Sequence, residues 1–265
     1  MKVSIITVCF NSERTIARAV NSVQSQSYSN VEHIIIDGNS SDNTLAIVNE
    51  LATSGTRVVS EPDNGIYDAM AKGVELASGD IVGILNSDDF YADDRCIEDI
   101  VEAFLRNGDV SMIFGDVVFV GADSSSITRY YSSVNFRPWK LRFGWMPPHP
   151  ATFVREEVYR LCGNYKQDYR ISADYERFVH WLMIKKLTYE RLDRVIVVMQ
   201  EGGVSTQDLA NRILLNREIV KACRTNGVYT NLFLLLFKFP FKLLELYRRP
   251  SRNNSVKVLS GDVRP

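Results

Sequence analysis

The chain has 265 residues, 45% hydrophobic and 24% charged, with 31 Lys and Arg against 32 Asp and Glu and a net charge of −1. That length suits one large domain or a domain with an appendage, and the charge balance argues against a nucleic-acid binder, which normally carries a basic surplus. Four cysteines, Cys9, Cys96, Cys162 and Cys223, lack paired spacing, so neither a disulfide framework nor a zinc site is predicted and a reducing compartment fits.

The start of the chain goes straight into an apolar strand, Val3–Val8, with no leader pattern, which predicts a cytoplasmic protein. A helix follows from Ser12 to about Gln24, with Ile16, Ala19, Val20 and Val23 at helical spacing and Asn11 or Ser12 as cap. Strand Val31–Ile36 leads into the turn Gly38–Asp42 and a helix through Leu51. A short strand, Arg57–Ser60, precedes a helix over Ile66–Ala77, which Ser78-Gly79 ends. Strand Asp80–Leu85 then runs into Asn86-Ser87-Asp88-Asp89. Such alternation predicts an α/β fold, a mostly parallel sheet with helices on both faces.

From residue 110 the pattern changes. Val110–Gly115 and Val117–Val120 read as two short strands split by Asp116, followed by a Gly- and Ser-rich loop, Gly121–Ser126. The aromatic stretch Phe136–Trp145 runs into Met146-Pro147-Pro148-His149-Pro150, a proline density that predicts a shaped loop. Ser172–Lys185 reads as one helix, Val195–Met199 as a strand, and Gly202-Gly203-Val204-Ser205 as a close-approach turn or lid. The boundaries predicted are a domain over 1–226, with a nucleotide-sugar half to 110 and an acceptor half to 226, an amphipathic element over 227–250 and a disordered tail over 251–265. In that element Leu232, Leu235, Leu236, Phe239, Leu243 and Leu246 recur at helical spacing among Lys238, Lys242, Arg248 and Arg249. Lysines and Pro240 argue against a spanning helix, leaving an element in the membrane interface or one packed on the domain or on a second copy in a homodimer.

Carboxylates fall where apolar strands end, at Asp37 and at Asp88-Asp89. In an α/β sheet the carboxyl ends of parallel strands share one crevice, so both would reach a pocket able to hold a divalent cation and a nucleotide.

The segment Val3–Asn11, the turn Ile36-Asp37-Gly38-Asn39-Ser40-Ser41-Asp42-Asn43-Thr44, the run Asn64–Met70 and the Leu85–Asp89 cluster together resemble a family 2 glycosyltransferase of GT-A fold, of the subgroup that builds bacterial surface polysaccharides. The resemblance spans roughly residues 1–205. It implies that Asp37 bonds the nucleobase edge beside Phe10, that Asp68 and Lys72 contact the donor, and that Asp88 ligates Mn²⁺ or Mg²⁺ bridging the diphosphate. Asp89 would be a second ligand or a ribose contact. Asp174 would be the base of an inverting transfer, and His149 would lie between donor and acceptor. Asn86 and Ala71 depart from the usual Asp and Asn of relatives.

Each residue also has a plainer use: Asp37 as a turn former, Phe10 and His149 as core, Asp68 with Lys72 as a surface ion pair, Asp174 as helix-start chemistry. The function this implies is sugar transfer from a nucleoside-diphosphate donor to a hydroxyl of a lipid-linked or growing oligosaccharide, on the inner face of the plasma membrane. A noncatalytic nucleotide-sugar scaffold is the alternative. A sugar-phosphate nucleotidyltransferase fits less well, since Cys9–Glu13 is no glycine-rich basic loop.

Overall fold

A computed structural model describes residues 1–121, 126–201 and 209–237. The first half alternates as the sequence predicts, except that the first helix begins at Ile16 after Thr15 and not at Ser12, with no side-chain cap: β1 (Val3–Cys9), α1 (Ile16–Gln24), β2 (Val31–Asp37), α2 (Thr44–Leu51), β3 (Thr56–Ser60), α3 (Ile66–Leu76) and β4 (Ile81–Ile84). After it come β5 (Phe90–Tyr91), α4 (Cys96–Arg106), β6 (Met112–Val120), β7 (Ile127–Tyr131), a 3₁₀ helix (Pro138–Phe143), a 3₁₀ turn (His149–Ala151), β8 (Thr152–Arg155) and α5 (Glu156–Cys162). The remaining elements are α6 (Ala173–Phe178), a π-helical turn (Val179–Ile184), β9 (Tyr189–Gln200), α7 (Leu209–Thr225) and α8 (Leu232–Leu236).

The strands form one nine-stranded sheet, ordered β3-β2-β1-β4-β8-β6-β9-β5 with β7 on β6. The strands β3, β2, β1 and β4 are parallel, which is the part the alternation encodes, and β8 runs antiparallel between β4 and β6. Every residue of β1 is buried, as expected of a strand covered on both faces. Its side chains alternate: Ile6 and Val8 join Met70 and Val74 of α3 on one face, while Val3 and Ile5 join α4 and β9 on the other. Gly73 lets α3 lie directly against Ile6, where any Cβ would collide.

Several expectations are corrected. The two strands split by Asp116 are one strand, β6. Its ladder to β9 shifts register at Asp116, whose buried carboxylate accepts from Ser133 N and Oγ, Tyr130 Oη and Arg191 Nη2 at 2.7–2.8 Å. A polar residue inside a strand therefore stays there because its bonds are met by residues 14 to 75 positions away. The Phe136–Trp145 loop contains the 3₁₀ helix Pro138–Phe143, since proline fits a first helical turn. The single helix over Ser172–Lys185 is α6 followed by a π turn. The strand at Val195–Met199 is longer, Tyr189–Gln200, because its first half pairs with the start of β6. The Gly202–Ser205 motif, residues 238–250 of the amphipathic element and the 251–265 tail lie outside the described residues. No described helix is long and apolar enough to cross a membrane.

Candidate active site

Parallel register aligns the strand ends. Cys9, Asp37 and Ser60 stand side by side at the ends of β1, β2 and β3, and Leu85 N–H donates to Ile6 to open the acidic loop one strand over. Asn11 and Asn39, with φ of 49° and 64°, turn the chain away from β1 and β2 in the left-handed conformation that Asn tolerates.

Asp37 is fully buried and its oxygens are taken. Oδ1 accepts the Ser40 hydroxyl at 2.5 Å and the Cys9 thiol at 3.7 Å; Oδ2 accepts Ser40 N–H at 3.0 Å and the Ser60 hydroxyl at 2.7 Å. Burial, then the Asp37 charge, pushes the Cys9 thiol far up, so it stays protonated and donates. Phe10 stands 61% exposed at the same edge. The space over Gly38 holds a residue that sequence reasoning missed. Asp63 Oδ2 lies 2.5 Å from where a Gly38 Cβ would be, with Phe10 Cδ2 at 3.4 Å from that point. Asp63 Oδ1 accepts Gly65 N–H at 2.8 Å, and Oδ2 accepts from no described residue.

In the acidic loop Asn86 Nδ2 donates to Asp89 Oδ2 at 2.9 Å, and Asn86 Oδ1 is buried without a partner among the described residues. Burial, then the neighbouring Asp88 charge, pushes the Asp89 carboxyl well above its usual range. Burial also raises Asp88. The counter-charge is Arg18, which stacks over the Phe90 ring at 4.2 Å and donates to Gln200 at 3.1 Å and to the Asp88 carbonyl at 3.4 Å. Ser12 Oγ meets Ser87 Oγ at 2.9 Å and so links the loop after β1 to the acidic loop. Among the described residues no three His, Cys, Asp or Glu side chains form a metal cage. Mg²⁺ or Mn²⁺ needs none, since one or two carboxylates plus phosphate oxygens suffice. A buried carbonyl without a partner among the described residues, beside two carboxyls whose charged forms burial disfavours, is a donor set that fits such a cation, whose charge would offset that burial cost.

Asp68 and Lys72 do face each other, at 3.6 Å, and each has local work. Asp68 accepts Asn64 N–H at 2.9 Å and Gln167 Nε2 at 2.7 Å, while Lys72 pairs with Glu61 at 2.9 Å and donates to the Pro62 carbonyl at 3.0 Å. Their helix starts at Gly65, whose φ of +115° an L side chain rarely adopts.

Asp174 sits in the first turn of α6. Its Oδ1 accepts Tyr175 N–H at 2.8 Å and the Tyr67 hydroxyl at 3.0 Å; Tyr67 shares its one proton with the Ile171 carbonyl at 2.6 Å. Burial, then the Asp174 charge, keeps Tyr67 protonated far above its usual range. Oδ2 of Asp174 accepts from no described residue. Behind this pair, Tyr67 stacks on Tyr165, whose hydroxyl meets His149 Nε2 at 2.8 Å and the Tyr159 hydroxyl at 3.1 Å. His149 is 8% exposed and burial lowers its pKa, so it is a neutral member of a buried chain supporting Tyr67. No direct hydrogen bond joins Asp88 to Asp174 among the described residues.

Glu218 of α7 is the second residue that the sequence hid. Its carboxylate accepts the backbone N–H groups of Arg170 at 2.8 Å and of Ile171 and Ser172 at 2.9 Å, the segment that leads into Asp174. It also lines, with Tyr67, Asp68 and Arg170, a pocket of about 280 Å³ beside the Tyr67–Asp174 pair.

Residues 4–156 match the family described as glycosyl transferase family 2. The chain belongs to that family. An uncharacterized glycosyltransferase of Mycobacterium tuberculosis is 36% identical over 178 residues, 66% of each chain, so the match spans just under two thirds of that relative. A PGL/p-HBAD biosynthesis glycosyltransferase of Mycobacterium bovis is 28% identical over 226 residues, 81% of this chain and 82% of that one. Among solved structures, a mannosyltransferase of Pyrobaculum calidifontis in complex with GDP-Man and Mn²⁺ aligns with a TM-score of 0.65 at 16% identity, covering 93% of this chain and 73% of that one. Residues 1–349 of Staphylococcus aureus TarS in complex with UDP-GlcNAc align with a TM-score of 0.62 at 18% identity, covering 84% and 66%. At such identities the likeness shows the fold alone, and it is the GT-A fold that the motifs imply. Family 2 membership rests on β1 to β8, so Asp174 and Glu218 lie beyond the matched segment.

Proposed function

We propose that this family 2 protein is an inverting glycosyltransferase that moves a sugar from a nucleoside-diphosphate donor to a hydroxyl of a lipid-linked or growing oligosaccharide. The observation that carries the reading is the convergence, at the ends of β1, β2 and β4, of an exposed aromatic ring, a carboxylate over Gly38 and the acidic loop. This suits a donor laid across the sheet edge, base toward Phe10 and diphosphate toward Asp88. The donors bound by the two solved relatives, UDP-GlcNAc and GDP-Man, are of this class. The name of the Mycobacterium bovis relative, a PGL/p-HBAD biosynthesis glycosyltransferase, supports a glycolipid or glycan acceptor.

Asp88 would hold a Mn²⁺ or Mg²⁺ ion, with Asp89 and the free Asn86 carbonyl beside it; when bound, the ion neutralises charge on the departing diphosphate. Arg18 adds positive charge from the protein itself. Asp174 takes the acceptor proton: Oδ1 is held by Tyr67 and Tyr175, which leaves Oδ2 to receive it as the hydroxyl oxygen attacks the anomeric carbon from the face opposite the diphosphate. Tyr67, kept protonated, fixes the carboxylate and cannot compete as the base. His149 and Tyr165 hold Tyr67 from behind.

Replacing Asp174 by Asn tests this. Transfer should fall by roughly 10²- to 10⁴-fold, the usual contribution of a positioned base, while nucleotide binding stays at the wild-type level. Wild-type transfer by the variant would remove Asp174 from the chemistry, and nucleotide binding without any transfer by the wild-type protein would favour a noncatalytic nucleotide-sugar scaffold.

A further inference from the structure

The 3₁₀ helix Pro138–Phe143 and α8 come from distant parts of the chain yet build one surface. Rings run across it in contact: Trp139 to Phe143 at 5.8 Å, Phe143 to Phe237 at 6.4 Å, Phe237 to Phe233 at 5.6 Å, each nearly perpendicular to the next. Two anchors fix the segments together, Arg142 Nε to the Tyr229 carbonyl at 3.0 Å and the Thr230 hydroxyl to the Arg142 carbonyl at 2.6 Å. Leu141 and Leu235 turn inward and are buried, so the outward rings are a surplus over what the core takes. Trp139 is 56% and Phe233 67% exposed. Isolated exposed apolar residues are ordinary, but three exposed rings, Trp139, Phe233 and Phe237, joined through the half-buried Phe143, mark an interaction surface.

Charge selects the occupant. Between Phe136 and Pro150 the chain carries Arg137, Lys140 and Arg142 and no Asp or Glu; from Val228 the next acidic residue is Glu245, after Lys238 and Lys242. Lys140 lies 5.8 Å from the Trp139 ring and 5.0 Å from the Trp145 ring, at the edge of the aromatic ladder. A symmetric pairing of this face with a second copy would oppose cation to cation. Aromatic rings rimmed by Lys and Arg match the boundary of an anionic bilayer, where rings sit at headgroup depth and cations meet phosphate.

We infer that the face made by Pro138–Phe143 and α8 docks the protein on an anionic membrane surface, with the Trp139, Phe143, Phe233 and Phe237 rings entering the interface. The face is tied to the chemistry: the Leu141 carbonyl accepts the hydroxyl of Tyr175, the neighbour of Asp174. Docking there would bring α6, which packs behind this face through Tyr175, near the bilayer that carries a lipid-linked hydroxyl. In that respect the inference rests on the proposed transfer reaction, whereas membrane binding itself does not.

The test is co-sedimentation of the full chain with phosphatidylcholine vesicles, with and without phosphatidylglycerol. The wild-type protein should bind the anionic vesicles and not the neutral ones. The double substitution Trp139→Ser with Phe233→Ser should weaken binding on the order of tenfold or more, the effect of withdrawing large buried apolar groups. Lys140→Glu provides a second variant that leaves the rings in place and should also lose the preference for the anionic lipid. A nucleotide-dependent thermal shift that persists in all variants shows that they are folded and reads the donor site separately. Unchanged vesicle binding by both variants would overturn the inference, leaving the segment after Phe237 as sole anchor. So would failure of the wild-type protein to bind any vesicle, or a dimer seen by light scattering that the ring substitutions dissociate.

Discussion

Glu218→Ala separates positioning from chemistry at this site. The carboxylate accepts three backbone N–H groups, of Arg170, Ile171 and Ser172, at 2.8–2.9 Å. Hydrogen bonds to a charged group are worth about 1.5–3 kcal/mol each. The group borders an open pocket, so water replaces part of the loss and the net cost should be about 2–4 kcal/mol. For a chain of this size that lowers Tm by roughly 5–12 °C. The same segment supplies the Ile171 carbonyl that shares the Tyr67 proton with Asp174. Freed of its anchor, Asp174 loses its fixed distance to the acceptor, and a displacement near 1 Å costs on the order of 10²-fold in rate. The expected pattern is a kcat loss of that order with donor affinity unchanged. Glu218→Gln, which keeps one acceptor oxygen, should fall between. Steady-state kinetics with donor and acceptor varied separately, beside nucleotide titration, would read it. Wild-type kcat in a variant that has lost several degrees of Tm would show Glu218 to be a fold anchor alone.

Asp63 and Asp37 should part company. Asp63→Ala removes a carboxylate oxygen at the Phe10 edge that has no donor among the described residues, and should weaken binding of uridine or guanosine diphosphate about tenfold while cytidine diphosphate changes little. Asp37→Ala unties Ser40 and Ser60 and should register mainly as lost stability; calorimetric titration and thermal melts distinguish the two. Asn86→Leu removes the Asp89 hydrogen bond and the free carbonyl, and should weaken Mn²⁺-dependent nucleotide binding about tenfold, as outer-shell changes at metal sites do. Because burial raises Asp88 and Asp89, protons compete with the cation, so that binding should strengthen as pH rises; a flat pH profile would contradict the assignment. His33, buried with Nε2 at 2.9 Å from the Thr7 hydroxyl, is held down at about 4 against 6.5. The unfolded chain therefore binds the extra proton between those values, stability is complete above pH 6.5, and about 3 kcal/mol drains away as pH falls to 4. His33→Gln should flatten that slope in denaturant titrations at pH 7 and 4.5.

The parallel half of the fold was legible because its strands are continuous apolar runs and its helices carry period-3.6 stripes. α4 carries the same signal, with Ile97, Ile100, Val101 and Phe104, although the sequence reading passed it over. The acidic loop was legible from its place at a strand end, whereas Asp174 was singled out by the family resemblance, its place at a helix start being equally good capping chemistry. What local pattern could not show is polar bonding across long separations. Asp116 looked like a strand break because Ser133 and Arg191 lie 17 and 75 residues away. Asp37 looked available because Ser60 satisfies it from the end of β3. Asp63 reaches the site only through the missing side chain of Gly38, and Glu218 only from a helix 46 to 48 residues downstream of its partners. The π turn after α6 has no periodic signature that would distinguish it from continued α-helix.

The proposed transfer requires a nucleoside-diphosphate site at the ends of β1, β2 and β4 completed by a cation. Thermal shift of the wild-type protein and of Asp88→Ala, against uridine, guanosine and thymidine diphosphates with and without Mn²⁺, tests it most directly, because a ligand that binds only the folded state raises its stability. Tm should rise with at least one diphosphate, in a manner that depends on Mn²⁺ and disappears in Asp88→Ala. A rise that is the same without Mn²⁺, or the same in the variant, would contradict the cation site, and no rise with any diphosphate would contradict the nucleotide site itself.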